Sequence, residues 1–393
     1  MPISLYNKLV FSIFVVTSPG LEPFTAQELE QLGLLKPEQE PAGVHSGGVT
    51  FAGDVHAVYR ANLWLRSASR VLVRLGEFAA IGFNELRKRA GALEWERFLK
   101  PDMPVGLRVT CHKSRLYHSD AVAQRVAAAI GDRLGSLPQV HKTSDEDEGQ
   151  PPQLVIVRLA HDICTISIDS SGELLHRRGY RLATAKAPLR ENLAAGLLLA
   201  AGWDPAAPLL DPFCGSGTIA IEAALTAAGL APGGRRRFAF MDWPGYDAAL
   251  WESMTARAEK HRRRLPSSGR PHILASDRDA GAIEMARANA ERAGVAELIE
   301  FTCQAISAIQ PPAGPGWIVT NPPYGLRVSP GKDLRSLYAQ LGNVLRAKCP
   351  SWQAAILCSD LKLLGQTRLA LDTSLRLVNG GIPVMLARGQ ISM

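Results

Sequence analysis

A glycine-rich turn near the middle of the chain could cradle a ligand. A short apolar run predicts a strand that ends at Asp211, and an alanine-rich helix is expected to begin near Thr218. Between them lie Gly215 and Gly217, which allow the backbone to reverse sharply and a ligand to approach it without a Cβ clash. Asp211 would lie at the carboxyl end of its strand, where open α/β sheets form their ligand crevice. Taken alone, the turn equally fits an ordinary strand-to-helix connection.

A second motif, Thr320–Gly325 (TNPPYG), also follows a short apolar run. The pair DPFCGSG, at Asp211–Gly217, and NPPY, at Asn321–Tyr324, resembles the S-adenosylmethionine-dependent amino-methyltransferases. The resemblance implies transfer of a methyl group to an exocyclic nitrogen of a nucleobase.

The sequence on either side of the first motif narrows the resemblance. LLHRRGYR at Leu174–Arg181 and APLRENLAAGLLLAAGW at Ala187–Trp203 are similar to the THUMP-containing, RlmL-type enzymes, which are guanine-N2 methyltransferases of large-subunit rRNA. GGVTF at Gly47–Phe51 and RANLWLRSASRVL at Arg60–Leu72 continue the similarity, so it covers nearly the whole chain.

The resemblance implies that S-adenosylmethionine is the cofactor and that it binds at the ends of neighbouring strands. The residues expected to hold it are Asp211, Pro212, Phe213, Cys214, Gly215, Gly217, Asp277, Gln304 and Ala305. Asp277 ends a predicted strand, and its carboxylate can accept both ribose hydroxyls, whereas Asp279 could cap the next helix. Related methyltransferases often have Asp at the position of Gln304, but an amide can also bind adenine.

Asn321, Pro322, Pro323 and Tyr324 are the predicted catalytic residues. An exocyclic base amine is a poor nucleophile because its lone pair is delocalised into the ring. Hydrogen bonds from this amine to the Asn321 side-chain oxygen and the Pro322 carbonyl would favour a tetrahedral nitrogen. Pro323 stiffens the loop, and Tyr324 can stack on a base flipped out of its helix or loop. No strong general base is needed if the proton leaves after transfer.

Composition sets the broad class. A chain of 393 residues with 46% hydrophobic residues is expected to hold two or three domains with a substantial core. The six cysteines show no metal-ligand spacing, and no secretory cleavage site is evident, so we expect no metal and reduced thiols in a cytoplasmic protein. No apolar run approaches the length of a membrane span.

The net charge of +7 points to a polyanionic partner, although solvated surface charge would explain it equally well. The excess of positive residues lies in residues 171–393. A connector without acidic residues is expected to contact an RNA backbone or the acidic surface of another domain, through Arg177, Arg178, Arg181, Lys186 and Arg190. Lys113 and Arg115 lie in a basic and aromatic segment, which could bind RNA or form an exposed polar loop.

The predicted fold class is α/β. A Rossmann-like seven-stranded methyltransferase domain, ending in an antiparallel hairpin, should follow α+β ferredoxin-like and THUMP RNA-binding domains. We expect the ferredoxin-like region at 1–60, the THUMP domain at 61–170, a basic linker at 171–190 and the methyltransferase domain at 191–393. The arginine-rich segment after the first motif is an insertion relative to the simplest dinucleotide-binding pattern.

The predicted reaction is methylation of guanine N2 in 23S rRNA, and the base and the RNA follow from the resemblance alone. The NPPY motif fits adenine N6 equally well. The alternatives are a tRNA guanine-N2 methyltransferase, a nucleic-acid adenine-N6 methyltransferase and a non-catalytic RNA-binding assembly factor. The oligomeric state and the target nucleotide do not follow from the sequence.

Overall fold

The computed structural model of the protein describes residues 10–36, 42–141, 153–181, 189–260, 272–324 and 334–392. They divide into two compact units, each discontinuous in sequence. The first draws on Met1–Thr17, Ala26–Leu175 and Arg236–Ala256, and the second on Ser18–Thr25, His176–Arg235 and Arg257–Met393. Residues 18–25 therefore belong to the second unit, although the residues on either side of them belong to the first. Residues 236–256 belong to the first unit, although the residues on either side of them belong to the second.

One mixed sheet runs through the first unit. Its described strands are, in chain order, β1 (Phe11–Thr17), β2 (Gly43–His45), β3 (Gly48–Gly53), β4 (Ala68–Ala79), β5 (Val105–His112), β6 (Val140–His141), β7 (Gln153–Ala160) and β8 (Ile163–Asp169). Their order across the sheet is β2-β3-β1-β4-β8-β7-β5-β6. β5 pairs in parallel with β6 and β7, and the other pairs are antiparallel. The predicted ferredoxin-like and THUMP regions therefore share a continuous sheet.

Alternation of side chains explains how this sheet buries one face. In β1, Phe11, Ile13, Val15 and Thr17 are buried, and the residues between them are partly exposed. This period of two is the pattern of a strand with one face against a core. β7 and β8 form a hairpin, whose strands pair up to Ala160 and Ile163.

The arginine-rich insertion contributes to the core of the first unit. Phe240 is fully buried and stacks on Tyr59, with 4.3 Å between ring centroids. The Trp243 indole donates to the Gln153 side-chain oxygen at 2.8 Å. The Arg236 guanidinium donates to the backbone carbonyls of residues 173 and 174. A segment distant in sequence therefore completes this core.

The second unit contains the predicted seven-stranded sheet. Its strands are β9 (Leu209–Asp211), β10 (Ile273–Asp277), β11 (Ile299–Cys303), β12 (Trp317–Thr320), β13 (Gln353–Cys358), β14 (Asp372–Asn379) and β15 (Ile382–Gln390). They lie in the order β11-β10-β9-β12-β13-β15-β14. β9 to β13 pair in parallel, and β15 runs antiparallel to both of its neighbours. The fold class, including the closing hairpin, is confirmed.

Ten α-helices lie in the described residues: α1 (Glu22–Gln31), α2 (Val55–Trp64), α3 (Phe83–Gly91), α4 (Ser119–Leu134), α5 (Glu191–Ala200), α6 (Thr218–Ala227), α7 (Ala248–Lys260), α8 (Ala280–Ala293), α9 (Arg335–Lys348) and α10 (Leu361–Gln366). The Asp279 side chain caps α8 by accepting from the backbone N–H groups of Gly281 and Ala282. Among these described helices, none has the length and apolarity needed to cross a membrane.

Replacing Phe240 with Ala should destabilise the first unit, because a fully buried ring leaves a cavity where it stacked on Tyr59. Such truncations cost about 3–5 kcal/mol. Hydrogen exchange should show weaker protection in β1, β4 and β8 before the strands of the seven-stranded sheet respond. Tyr117→Ala is the matched control, because the Tyr117 side chain is largely exposed. An equal decrease of protection in both sheets would contradict this placement of the segment.

Candidate active site

Parallel pairing brings both predicted motifs to one edge of the seven-stranded sheet. β9 lies between β10 and β12, and Leu210 is in register with Leu274 on one side and Ile318 on the other. Parallel strands end at the same edge, so Asp211, Asp277 and Thr320 all lie there. The glycine-rich turn of residues 212–217, here termed the cofactor turn, begins immediately after Asp211. The NPPY loop, residues 321–324, begins immediately after Thr320.

The two glycines of the turn meet different constraints. Gly215 and Gly217 have φ values of 51° and 84°, in the left-handed region that favours glycine. A Cβ added to Gly217 would lie 3.0 Å from the Ala286 Cβ, whereas one added to Gly215 would meet no described atom within 4 Å. Gly217 therefore permits the close approach of α6 and α8, and Gly215 presents bare backbone to open space. That open space is what a bound cofactor needs.

Asp277 connects the turn to the end of β10. Its Oδ2 accepts from the Gly215 N–H at 3.1 Å, and its Oδ1 accepts from the Asp279 N–H at 3.1 Å. Each carboxylate oxygen retains acceptor capacity for a ligand hydroxyl. The Asp279 side chain caps α8. Asp277 is therefore the one of these two acids that we expect to accept the ribose hydroxyls.

The other predicted cofactor residues surround this carboxylate. The Gln304 N–H donates to the Asp277 backbone carbonyl at 2.9 Å, which fixes the start of the loop after β11, and Ala305 follows it, exposed. The Cys214 N–H donates to the Ser276 carbonyl at 3.0 Å, which ties the turn to β10. Burial raises the pKa of the Cys214 thiol, so it stays protonated. The remaining two members of the set are Pro212, which is buried, and Phe213, which is partly buried.

Asp211 joins the two motifs directly. Its carboxylate is 1% exposed, and its Oδ1 accepts from the Thr320 hydroxyl at 2.7 Å and from the Phe213 N–H at 3.3 Å. Burial raises the pKa of Asp211 to about 7, although both hydrogen bonds oppose the shift and the nearby Asp277 adds to it. The contact with Thr320 fixes the turn after β9 against the residue that precedes Asn321.

The NPPY loop presents a buried side-chain acceptor that has no donor among the described residues. The Asn321 side-chain oxygen is buried, and it accepts no hydrogen bond from any residue that the structure describes. The Pro323 carbonyl accepts from the Tyr338 hydroxyl at 3.2 Å, which holds the loop from α9. A buried, unpaired amide oxygen is costly, so a donor supplied by a ligand would be favoured there.

Tyr324 is the last described residue of the NPPY loop. Its side chain is 7% exposed and packs in the main apolar cluster of the second unit. Its hydroxyl accepts from the Asn379 side-chain amide at 2.9 Å, and burial raises its pKa. Stacking of the Tyr324 ring on a flipped base stays a prediction.

Two arginines of the basic connector support the cofactor turn. Arg178 is buried, and its Nε lies 3.2 Å from a carboxylate oxygen of the fully buried Glu222. Arg181 donates to the Thr218 hydroxyl at 2.7 Å, at the first residue of α6. Both guanidinium groups are thus committed inside the second unit. We therefore withdraw Arg178 and Arg181 from the predicted RNA contacts.

The other predicted RNA contacts remain predictions. Arg190 is exposed at the start of α5, and Arg177 is partly exposed. Lys113 is exposed, and Arg115 is 70% exposed and lies 3.9 Å from Asp162. Lys186 lies outside the described residues.

Sequence reasoning did not assign roles to three residues that hold the NPPY loop, namely Thr320, Tyr338 and Asn379. Thr320 lies next to the motif but carries no pattern of its own that indicates a contact with Asp211. Tyr338 and Asn379 are distant from Asn321 in sequence, and no local spacing links them to the motif.

Glu222 was also missed, although a charged residue within the apolar helix TIAIEAALTA is a signal that a buried partner exists.

Within the described residues, no group of three or more His, Cys, Asp or Glu side chains could hold a metal ion. The cysteines in this part of the chain are all unpaired with one another.

Comparison with known families identifies the domains. The model of the RMKL-like methyltransferase domain matches residues 178–387. The model of the RlmL ferredoxin-like domain matches residues 12–72, and that of the THUMP domain matches residues 81–169. The predicted family resemblance is therefore confirmed, whereas the finer domain boundaries stay predictions.

Individual relatives are similar over most of the chain. The putative RNA methyltransferase slr0064 of Synechocystis sp. is 34% identical over 391 residues, which are 99% of each chain. The ribosomal RNA large subunit methyltransferase K/L of Shewanella sp. is 34% identical over 95% of this chain but only 52% of its own length, so this chain spans about half of that protein. The crystal structure of SMU.472, a putative methyltransferase complexed with SAH, superposes with a TM-score of 0.85 at 30% identity, covering 97% of this chain and 98% of that chain.

The seven-stranded sheet and the motifs at its edge define a Rossmann-like, S-adenosylmethionine-dependent methyltransferase. The chain belongs to the RMKL-like methyltransferase family.

The residues at the sheet edge fit the cofactor. Gly215 offers open backbone, and Asp277 has acceptor capacity for ribose hydroxyls. Gln304 follows β11, the strand next to β10 in the sheet, and its side-chain amide can bind the adenine ring there. These assignments of individual residues are proposals, and the Gly215 variant below tests the first of them.

Replacing Gly215 with Ala should weaken cofactor binding about tenfold or more, because the new methyl group would occupy the space left for the ligand. The left-handed backbone adds a folding cost of about 1–2 kcal/mol. Gly202→Ala is a matched control, because Gly202 also has a positive φ and open space at its Cβ position. Calorimetric titration with S-adenosylhomocysteine distinguishes the two. Equal affinity in both variants would contradict the proposed role of Gly215.

Replacing Asp211 with Asn should change stability in a pH-dependent way. The folded-state pKa of about 7 lies above the ordinary value of 3.8, so the wild-type protein loses stability as the pH rises between these two values. The melting temperature of Asp211→Asn relative to wild type should therefore rise across this interval and level off above it. Asp204→Asn, at an exposed position, is the control. A difference in melting temperature that is constant with pH would contradict the raised pKa.

Proposed function

We propose that this protein methylates guanine N2 in large-subunit (23S) rRNA, using S-adenosylmethionine as the methyl donor. The observation that carries this proposal is the Asn321 side-chain oxygen, which is buried and has no donor among the described residues. Asn321 directly follows Thr320, whose hydroxyl donates a hydrogen bond to Asp211. The Synechocystis relative is named as a putative RNA methyltransferase, which supports RNA as the substrate. The Shewanella relative is named as a ribosomal RNA large subunit methyltransferase, which supports large-subunit rRNA. With this substrate the enzyme would act in the cytoplasm.

The chain would act on the target amine by positioning it. Asn321 accepts a hydrogen bond from one amine N–H, which draws the nitrogen lone pair out of conjugation with the ring. The Pro322 carbonyl is the proposed second acceptor, and the Tyr338 contact to Pro323 limits movement of this backbone. Bound S-adenosylmethionine supplies an electrophilic methyl group on its sulfonium. No general base is required of the protein, because the methylated amine is acidic enough to lose its proton to water.

The proposed RNA-binding surface in the first unit is the segment 112–118 together with residues 161–162. The Asp162 side chain accepts from the Arg115 N–H at 2.7 Å, and the Asp162 N–H donates to the Ser114 hydroxyl at 3.0 Å. Lys113 and Asp162 both adopt positive φ values, which such contacts must stabilise. Exposed Tyr117 adds an aromatic face beside these charges. Cationic and aromatic side chains held in this way suit phosphates and unstacked bases.

The deciding experiment offers the purified protein and methyl-labelled S-adenosylmethionine to deproteinised 23S rRNA, a large-subunit precursor particle, bulk tRNA and duplex DNA. The products are then digested to nucleosides and separated. The proposal predicts label in N2-methylguanosine from rRNA or from the precursor. It also predicts that Asn321→Ala lowers the rate about 100-fold or more while S-adenosylhomocysteine affinity is retained.

Other outcomes would identify the alternatives. Label only in tRNA would move the substrate to tRNA, and label in N6-methyladenosine or N6-methyldeoxyadenosine would change the target base. Absence of label from every substrate, in a protein that binds the cofactor, would favour an RNA-binding assembly factor. Each of these results contradicts the proposed function in a different way.

Replacing Lys113 and Arg115 together with Ala should weaken binding of rRNA fragments. The slope of log affinity against log salt should fall by about one for each phosphate that the variant no longer neutralises. Lys100→Ala is the control, because this lysine is also exposed in the first unit. Fluorescence anisotropy across a salt series gives both quantities. Unchanged affinity and slope would show that the segment is an ordinary polar loop.

A further inference from the structure

Two large apolar side chains are exposed among the described residues of the second unit, Leu361 at 51% and Val378 at 38%. Leu361 is the first residue of α10, and Val378 is the last residue but one of β14. Val378 directly precedes Asn379, whose side-chain amide donates to the Tyr324 hydroxyl at 2.9 Å. Val378 therefore lies beside the NPPY loop.

The register of the sheet brings the start of α10 to the same edge. Cys358, the last residue of β13, pairs with Met385 of β15, and Met385 pairs with Arg376 of β14. These residues form one row across three strands, so Arg376 lies level with the carboxyl end of β13. The Cys358 sulfur lies 3.4 Å from the Tyr338 hydroxyl, which binds the NPPY loop. α10 begins shortly after Cys358, at Leu361, and therefore starts close to this loop.

α10 covers the face of the sheet to which Arg376 and Val378 point. These two residues are two apart in β14, so their side chains share a face. The row that contains Arg376 continues to Cys358, which shares its face with Ile356, two residues earlier in β13. Ile356 packs in one apolar cluster with Leu364 of α10. Arg376, Val378 and α10 therefore lie on one face of the sheet, at the edge that carries the NPPY loop.

Two exposed cations accompany the apolar pair. Lys362 follows Leu361, and Arg376 lies next to Val378 on the same face of β14. Neither cation forms an ion pair with a residue that the structure describes, and the carboxylate of Asp360 accepts from the Lys362 backbone N–H at 2.7 Å as the cap of α10. The hairpin surface, defined as Leu361, Lys362, Arg376 and Val378, thus combines apolar side chains with positive charge.

We propose that the hairpin surface binds an unpaired stretch of RNA next to the target nucleotide. This proposal rests on the proposed function and deepens it, because it states which form of RNA lies beside the reaction centre. The target amine reaches Asn321 only when its base leaves the stack, so the neighbouring bases lose a stacking partner. Leu361 and Val378 offer these bases an apolar surface, and the two cations neutralise the phosphates between them. A duplex would present only its phosphates and would leave both apolar side chains in water.

A binding experiment tests the hairpin surface without requiring methyl transfer. It uses the full-length protein with S-adenosylhomocysteine and follows the fluorescence anisotropy of a short, unstructured RNA strand and of an RNA duplex of the same length. Every variant, and the reference protein, also carries Lys113→Ala and Arg115→Ala, so that the proposed RNA-binding surface of the first unit contributes less. Arg257→Ala with Lys260→Ala is the control, because both residues are exposed cations of the second unit outside the hairpin surface.

The two halves of the surface should give different signatures. Lys362→Ala with Arg376→Ala should weaken binding of the strand and lower the slope of log affinity against log salt by about 0.7 for each phosphate no longer neutralised. Leu361→Ala with Val378→Thr should weaken binding of the strand about fivefold or more and leave the salt slope unchanged, because no charge is removed. The apolar variant should bind the duplex as tightly as the reference protein does, because the duplex bases are already stacked. Threonine keeps the β-branching that suits a strand, and alanine suits a helix.

The outcomes separate the hairpin surface from the proposed function. Reference affinity for the strand in both paired variants would overturn the surface, and so would equal losses for strand and duplex in the apolar variant. A changed oligomeric state of the apolar variant in sedimentation, at unchanged RNA affinity, would instead identify a contact between copies of this chain.

Methyl transfer gives an independent readout in an active enzyme. Both paired variants should raise the RNA concentration at half-maximal rate and keep the saturating rate. A lower saturating rate at an unchanged half-maximal concentration would show that the substitutions act through the NPPY loop, which also overturns the surface. Absence of transfer by the wild-type protein, together with the expected losses of strand binding, would contradict the proposed function and support the surface as an RNA contact.

Discussion

The hydrogen bond from the Thr320 hydroxyl to the Asp211 carboxylate is the interaction on which the site depends. It joins the last residue of β12 to the last residue of β9, across a parallel pair whose register is set by the strands themselves. One residue beyond Asp211 the cofactor turn begins, and one residue beyond Thr320 stands Asn321. A single buried hydrogen bond therefore relates the two motifs of the proposed reaction centre.

This interaction has an electrostatic cost. Burial raises the pKa of Asp211 to about 7, and the Thr320 hydroxyl and Phe213 N–H offset only part of this shift. In α6, which follows the turn, the buried Glu222 faces Arg178 and accepts from the Tyr180 hydroxyl at 3.0 Å. Such buried pairs are weak evidence for net stability, but removing one partner leaves an uncompensated charge. The helix that follows the cofactor turn is therefore held by Arg178, Tyr180 and Glu222 in a single arrangement.

Much of the second unit could be predicted from sequence. Apolar runs that end in Asp211, Asp277 and Thr320, each followed by turn or helix signals, indicate parallel strands with their polar ends at one edge. The burial of Arg178 could not be predicted, because a run of arginines in a sequence indicates surface charge. Only the fold shows that Arg178 lies beside the buried Glu222. Likewise, the hydrogen bond from Asn379 to the Tyr324 hydroxyl could not be predicted, because the approach of Asn379 is set by the order of strands in the sheet. Segment 236–256 joins the first unit through aromatic packing that has no local signature.

The most direct test of this account is single-turnover methyl transfer by Thr320→Val, measured across pH alongside S-adenosylhomocysteine affinity. Valine keeps the size and β-branching of threonine and removes only the hydroxyl that binds Asp211. The account predicts slower transfer at every pH and a higher pKa for Asp211, with cofactor affinity retained above that pKa. Transfer at the wild-type rate, with an unchanged pH profile, would contradict the claim that this hydrogen bond sets the geometry of the site.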